Sequence, residues 1–352
     1  MRVWQKSQNR PATAVWLASA LIATIVSSVL VTATPLQAQT FTKTGTTSGE
    51  FLKIGVGSRY LAMGGAAVAS KGDAYSIYWN PAALSEVEGQ QVALAYTDWL
   101  LDIGISYGVY ARRLEGVGVM AVGLTAMNVP KMEQTTVQQQ DGTGQFYDGA
   151  SYAVTAAFAR ELTTRFSFGG SVKYVSEKIA TETASAVAFD VGTILFTGLR
   201  TLRLGMSVSN LGSDLKFSGQ NLNVPIPADS NSNSNPASNG QLNVESGQLP
   251  LTFRMGVAYD FDMSLDSRLT FAGELKHPND NIQQGSFGME YGYREHFFLR
   301  SGYKINYDEE DLTLGAGLNT PFASHSDLSI DYAWSNFGRL NSVHRFSINL
   351  TF

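Results

Sequence analysis

From Gln91 to the last residue, this chain alternates apolar and polar side chains with a period of two. Successive side chains of a strand point to opposite faces, so each such run is a strand with one apolar and one polar face. The clearest run is the last, Val343–Phe352. Phe346, Ile348, Leu350 and Phe352 share one parity, and Arg345, Ser347, Asn349 and Thr351 share the other. Leu251–Phe261 sets Phe253, Met255 and Val257 against Thr252, Arg254 and Gly256. Comparable runs lie around Phe166, Leu202, Leu269, Phe287 and Leu328, with weaker ones near Val92, Ile103, Val117, Tyr152, Val187, Phe297 and Leu312. Together they predict about fourteen strands, an even number that suits a closed antiparallel barrel. Lys173, Asp190, Arg254, Glu274, Glu290, Arg300 and Asp331 all keep to the polar parity. A basic residue turned to lipid near the bilayer midplane would cost about 2–4 kcal/mol.

Alternation alone also suits a soluble sandwich, whose polar face meets water. The connections separate the two. If the first strand runs outward from the periplasm, the turns after even-numbered strands are short: Arg113–Gly116, Glu161–Thr164, Thr197–Arg200, Asp262–Asp266, Arg294–Glu295 and Pro321–Ser326. The two longest connections, Asn128–Gly149 and Asn210–Pro250, fall at the other end. Short periplasmic turns and long surface loops are the outer-membrane pattern. The expected fold is therefore all-β: a transmembrane antiparallel β-barrel over residues 90–352, in the bacterial outer membrane and in contact with its lipid. The polar low-complexity run Asp229–Gly240 reads as a surface insertion within the longest loop. Outer-membrane barrels commonly end on an aromatic residue. Phe352 resembles the signal by which the barrel-assembly machinery recognises its clients.

Arg2, Lys6 and Arg10 precede an apolar run from Val15 to Ala33, followed by Pro35 and the small residue Ala38. Residues 1–38 read as a signal peptide cleaved after Ala38. A membrane anchor is the alternative, because the run is nearly long enough to span; the Pro35 and Ala38 spacing favours cleavage. No other stretch approaches the roughly 18 apolar residues of a transmembrane helix. There is no cysteine, hence no disulfide and no thiolate metal site. The leader holds three of the 25 basic residues and none of the 30 acidic ones, so the mature chain is acidic and unsuited to nucleic acid. His277, His296, His325 and His344 show no metal-ligand spacing, and no GxSxG elbow is present. The expectation is no catalytic, cofactor-binding or metal-binding residue, and no enzyme. The run Asp308–Asp311 reads as a solvated acidic tip, with weak calcium binding the less favoured reading.

Residues 39–89 do not alternate, yet Leu52, Ile54, Val56, Leu61, Met63, Val68, Ile77, Trp79 and Leu84 make them too apolar for a free tail. Fourteen strands enclose a backbone diameter of about 25–30 Å. Small residues assigned to the inward parity (Gly104, Gly108, Gly205, Gly256, Gly288, Gly292, Gly315 and Gly317) leave room inside. Residues 39–89 are thus predicted to be a hatch that plugs the lumen. A segment touching only the periplasmic rim is the alternative.

The stretch Gly57–Leu84, GSRYLAMGGAAVASKGDAYSIYWNPAAL, resembles the N-terminal signature of PorV/PorQ-type proteins, within the FadL-like outer-membrane superfamily. Arg59, Met63-Gly64-Gly65, Asp73 with Ala74, and Asn80-Pro81-Ala82 carry the resemblance. Their reading is structural. The glycine pair opens backbone conformations closed to other residues, Asn80 initiates a turn, and Pro81 starts a helical one. The resemblance implies a non-enzymatic barrel supporting protein secretion or surface attachment of the type IX kind, with secretion-system proteins or cargo as partners. Its alternative is FadL-like transport of fatty acids or other hydrophobic small molecules. That would bring a side opening in the wall and an apolar pocket beside the plug.

Overall fold

The computed structural model describes residues 44–226, 238–323 and 325–352. The predicted signal peptide, residues 39–43 of the predicted hatch and most of the low-complexity run lie outside the described residues. In chain order the strands are β1 Gln90–Asp98, β2 Gly104–Leu114, β3 Gly118–Glu133, β4 Phe146–Thr163, β5 Phe166–Ile179, β6 Glu182–Phe196 and β7 Arg203–Gly212. A small hairpin, β8 Asn223–Ile226 with β9 Ser238–Gln241, follows within the longest loop. The wall resumes with β10 Thr252–Ser264, β11 Ser267–Pro278, β12 Gln284–Tyr293, β13 Phe297–Ile305, β14 Leu312–Ala323, β15 Ser326–Asn336 and β16 Ser342–Thr351. Apart from the β8–β9 hairpin these fourteen strands pair antiparallel, each with its sequence neighbours, and close into a barrel.

Closure is made by β1 on β16, from Gln91 opposite Thr351 to Asp98 opposite His344. The Gln90 and Phe352 backbones exchange both hydrogen bonds, at 2.8 and 2.9 Å. The chain terminus is thus stitched to the first strand, and the barrel wall has no open edge. Connections at the Phe352 end run from two to six residues, while those at the far end include residues 134–145 and 213–251. Among the described residues no helix is long and apolar enough to cross a membrane. Strands do the spanning: Phe253 is 40 % exposed on the outer face, whereas Thr252 is 3 % exposed on the inner one.

The face assignment from parity fails at two residues. Gly104 and Gly108 point outward, where an added Cβ would meet Tyr96 and Leu94 of the lipid face. In β2 the inward positions are Ile105, Tyr107, Val109 and Ala111, while Ser106 and Arg112 stand with the glycines on the outer face, so the polar parity is here the outer one.

Residues 44–89 occupy the lumen. They form a 3-10 turn at Glu50–Lys53, short helices at Ser58–Ala62 and Ser76–Trp79, and a 3-10 helix at Pro81–Glu86. Near the outer mouth the Ser48 amide donates to the Gln248 carbonyl (2.8 Å), and Lys53 pairs with Asp280. At the periplasmic rim Arg113 Nε donates to the Val87 carbonyl (2.7 Å). The segment therefore threads the barrel from the outer mouth to the inner rim and feeds directly into β1.

Candidate functional site: the plugged lumen

The interior wall has two unlike halves. Along β2–β6 the plug meets small and apolar side chains: Val109, Ala111, Val119, Ala121, Ala157 and Ala159 surround Ile77, Trp79 and Leu84. Nearer the outer mouth Phe51 and Leu52 pack on Ala153, Val175, Ala184, Ala186 and Ala188. Lys173 with Asp190 (3.1 Å) is the buried ion pair of this half. Along β10–β16 many lumen-facing positions are charged: Arg254, Glu274, Glu290, Arg300, Lys304, Asp331 and Arg345 are all buried.

Those charges are paired in sequence around the plug. Glu290, fully buried, receives Arg300 (2.6 Å), Arg268 (3.1 Å) and Arg59 of the plug (3.2 Å). Arg59 also faces Asp73 at 3.7 Å. In the other direction Arg268 reaches Asp260 (3.7 Å), Asp260 pairs with Arg203 (3.0 Å), and Arg203 meets Glu86 of the plug at 3.9 Å. The chain of alternating charge thus leaves the plug at Arg59, crosses the wall and returns to the plug at Glu86. A buried charge without a partner is costly, so this belt specifies one seating of the plug more than it adds net stability.

The sequence-singled residues fall along one path through the lumen. Met63 is buried, and Gly64 and Gly65 both take left-handed backbone (φ 70° and 77°) where the chain turns after the helix Ser58–Ala62. Asp73 accepts from the Tyr75 amide (2.9 Å). Asn80 ties three segments together. Its Nδ2 donates to the Val68 carbonyl (2.7 Å) and to the Thr193 carbonyl of β6 (3.1 Å), and its Oδ1 accepts from the Ala82 amide (3.1 Å). Pro81 then opens the 3-10 helix, and Ala82 is buried against Ile194. This packing needs bare wall: a Cβ on Gly192 would lie 1.9 Å from Asn80 Oδ1. Arg59 and Asp73 meet; Asn80, Pro81 and Ala82 act on the opposite wall. Phe352 stands apart at the periplasmic rim, 45 % exposed on the lipid face.

Several wall residues hold the plug in ways the sequence did not indicate, Glu274 having been read there only as a charge on the polar parity. Glu274 accepts from the Ala67 and Val68 amides (both 2.9 Å). Thr313 Oγ1 accepts from the Gly64 amide and donates to the Ala62 carbonyl, both at 3.0 Å. Isolated glycine in a strand interior, such as Gly192 and Gly302, is the signal that points to close backbone approach. The acidic run is also not a solvated tip throughout: Glu310 turns into the lumen, 2.6 Å from Lys304 and 3.7 Å from Arg345.

Two cavities flank the plug on its charged side. The outer one, of about 430 Å³, lies between Phe51, Leu61 and Trp79 of the plug and Arg254, Lys276 and Lys304 of the wall. The inner one, of about 190 Å³, lies between Arg59 and Asp73 and the wall residues Glu290, Arg300 and Asp331. The pocket beside the plug is thus charged on its wall side, not apolar throughout. On the lipid face a shallow depression of about 590 Å³ is framed by Phe271, Phe287, Met289 and Tyr303. It is a dent, since the strands beneath it remain paired.

A family model described as type IX secretion system protein PorV matches residues 37–278, which take in the leading segment and the wall through β11. No curated protein sequence matches the chain. In fold it is similar to the CymD monoaromatic hydrocarbon channel, with 14 % identity, a TM-score of 0.55, and coverage of 84 % of this chain and 96 % of that one. It is also similar to the toluene transporter TodX of Pseudomonas putida (14 % identity, TM-score 0.55, coverage 84 % and 97 %). A third similar structure is the toluene transporter TbuX of Ralstonia pickettii (12 % identity, TM-score 0.53, coverage 84 % and 97 %). At such identities the likeness is one of fold.

Proposed function

The chain belongs to the PorV family of bacterial outer-membrane barrels, and from that premise we propose that it is a non-enzymatic accessory of type IX-like protein secretion or surface attachment. In this reading residues 39–89 are the hatch. The motif Arg59, Met63, Gly64, Gly65, Asp73, Asn80, Pro81 and Ala82 holds it in place, and Phe352 is the mark read by the barrel-assembly machinery. Secretion-system proteins or their cargo are engaged by the outer loops or the periplasmic rim.

The observation that carries the reading, beside family membership, is that the lumen holds a segment bonded to strands all round the wall. The Tyr75 hydroxyl donates to the Leu94 carbonyl of β1 (2.7 Å), Asn80 bonds β6, Glu274 of β11 holds Ala67 and Val68, and Thr313 of β14 holds Gly64. A plug fastened so widely suits a scaffold. Comparing the secreted proteins of a deletion strain with those of its parent tests this. Loss of secreted or surface-attached cargo is the expected result, and an unchanged profile with no secretion component recovered by pull-down from detergent extract overturns it.

A second reading, passage of hydrophobic compounds, is favoured by the fold of the hydrocarbon channels and by the lipid-face depression. The charged wall of the outer cavity weighs against a neutral hydrocarbon, because seating one there would strip water from buried charges. Unchanged uptake of monoaromatic or long-chain substrates in the deletion strain would remove it.

A further inference from the structure

The two cavities on the charged side are separated by very little protein. Leu61, Gly64 and Gly65 line the outer cavity, and Arg59, two residues before Leu61, lines the inner one. Between them stands the end of the helix Ser58–Ala62 and the turn that follows it. Its seal against the wall is backbone on backbone. Gly288, Gly302 and Thr313 are paired in a row across β12, β13 and β14. A Cβ on Gly302 would lie 2.0 Å from the Gly64 amide nitrogen, and one on Gly288 would lie 2.5 Å from the Met63 carbonyl oxygen. One hydroxyl, that of Thr313, bonds both the Gly64 amide and the Ala62 carbonyl. Met63 packs in a small cluster with Ala258 and Ala272 of the wall, so parting the turn at Gly64–Gly65 also shifts that side chain, and the closed state is the favoured one.

The outer cavity also has a sign. It is lined by Lys53, Arg254, Lys276, Lys304 and Arg345, against Glu50, Glu274 and Glu310. Lys276 makes no ion pair among the described residues; its ammonium sits 5.5 Å from the centre of the Tyr307 ring, which Lys304 shares at 4.9 Å. Arg345 is buried and faces Glu310 at 3.7 Å, and among the described residues its Nε has no hydrogen-bond acceptor. The inner cavity carries as many acidic as basic side chains, so the charge preference is set in the outer one, whose excess of cations favours anions.

We propose that this barrel is a gated pore for small hydrophilic anions, running from the outer cavity to the inner one and closed by the Ala62–Gly65 turn seated on Gly288, Gly302 and Thr313. The route lies inside the lumen, and the proposal stands whether or not the protein serves secretion. Thr313→Val removes both seal bonds at nearly constant volume, and Gly302→Ala wedges the turn from the wall. Purified full-length barrel is placed in planar bilayers under a potassium chloride gradient, after heat-modifiable gel migration shows each variant folded. Wild type is expected to stay mostly closed. Each variant should raise the frequency of conducting events at least about tenfold, which is what losing one buried hydrogen bond is worth. The reversal potential should favour chloride. Gly285→Ala, on the lipid face of β12, should match wild type. Folded Thr313→Val and Gly302→Ala barrels that conduct no more than wild type, or a pore that prefers potassium, overturn the proposal.

Discussion

The β2–β6 half of the lumen and the β10–β16 half hold the same plug by different physics. On the first, alanine and valine of the wall face Ile77, Trp79 and Leu84, and water is simply excluded. That contact is non-directional and stabilises by roughly 25 cal/mol per Å² of apolar surface removed from water. On the second, Arg59 and Glu86 of the plug enter a belt of buried ion pairs centred on Glu290 and Asp260. That contact is directional, and much of its Coulombic gain is offset by desolvation. The apolar half supplies adhesion and the charged half supplies registry. A plug held by adhesion alone could slide; one held by buried charges alone would be marginal.

The contrast can be broken most forcefully at Glu290. Glu290→Leu leaves Arg59, Arg268 and Arg300 without the carboxylate they share. It should lower barrel stability by about 3–5 kcal/mol in urea unfolding from lipid vesicles. A loss below about 1 kcal/mol would mean that water already screens this half, as it does exposed pairs. Next in size is Asn80→Ala, which removes the bonds to Val68, Thr193 and Ala82. About 2–3 kcal/mol of plug seating should go, read as faster protease nicking of residues 44–89 in an otherwise intact barrel. Nicking at the wild-type rate would show that the apolar half holds the plug unaided. The smallest effect is expected on the apolar wall. Ala159→Ser adds a hydroxyl where the surroundings are alanine, valine and leucine, and should cost about 1 kcal/mol. A neutral result would reveal water behind the plug and bring the two halves closer in kind.

The same contrast accounts for which parts of the fold were legible in the chain. Strands β10–β12, β15 and β16 alternate cleanly, because their lumen face is charged and their lipid face is apolar. Phe253 against Arg254 and Phe346 against Arg345 leave no doubt about the face. Strands β1–β4 alternate weakly, because the plug makes their inner face apolar too. In β3, Val119 and Ala121 face the plug while Met120 and Val122 face lipid, and polarity distinguishes neither. The misplacing of Gly104 and Gly108 has this cause. The plug's local shapes were readable where glycine and proline dictate them, at Gly64–Gly65 and at Asn80–Pro81. Their partners were not, since Thr193, Glu274 and Thr313 lie more than a hundred residues away and become neighbours only when the wall closes.

By itself the chain's pattern of polarity and turns determined that there would be a closed antiparallel wall of fourteen strands, with its lipid face, its short-turn end and a non-alternating leading segment to house. Period-two polarity and connection length are local properties, and local properties survive in one dimension. The path of that segment from outer mouth to inner rim, the Glu290 belt and the Gly288–Gly302–Thr313 seat were decided by tertiary structure. Each depends on which residues of separate strands share a level in the barrel, and that level is set by strand register around the whole ring.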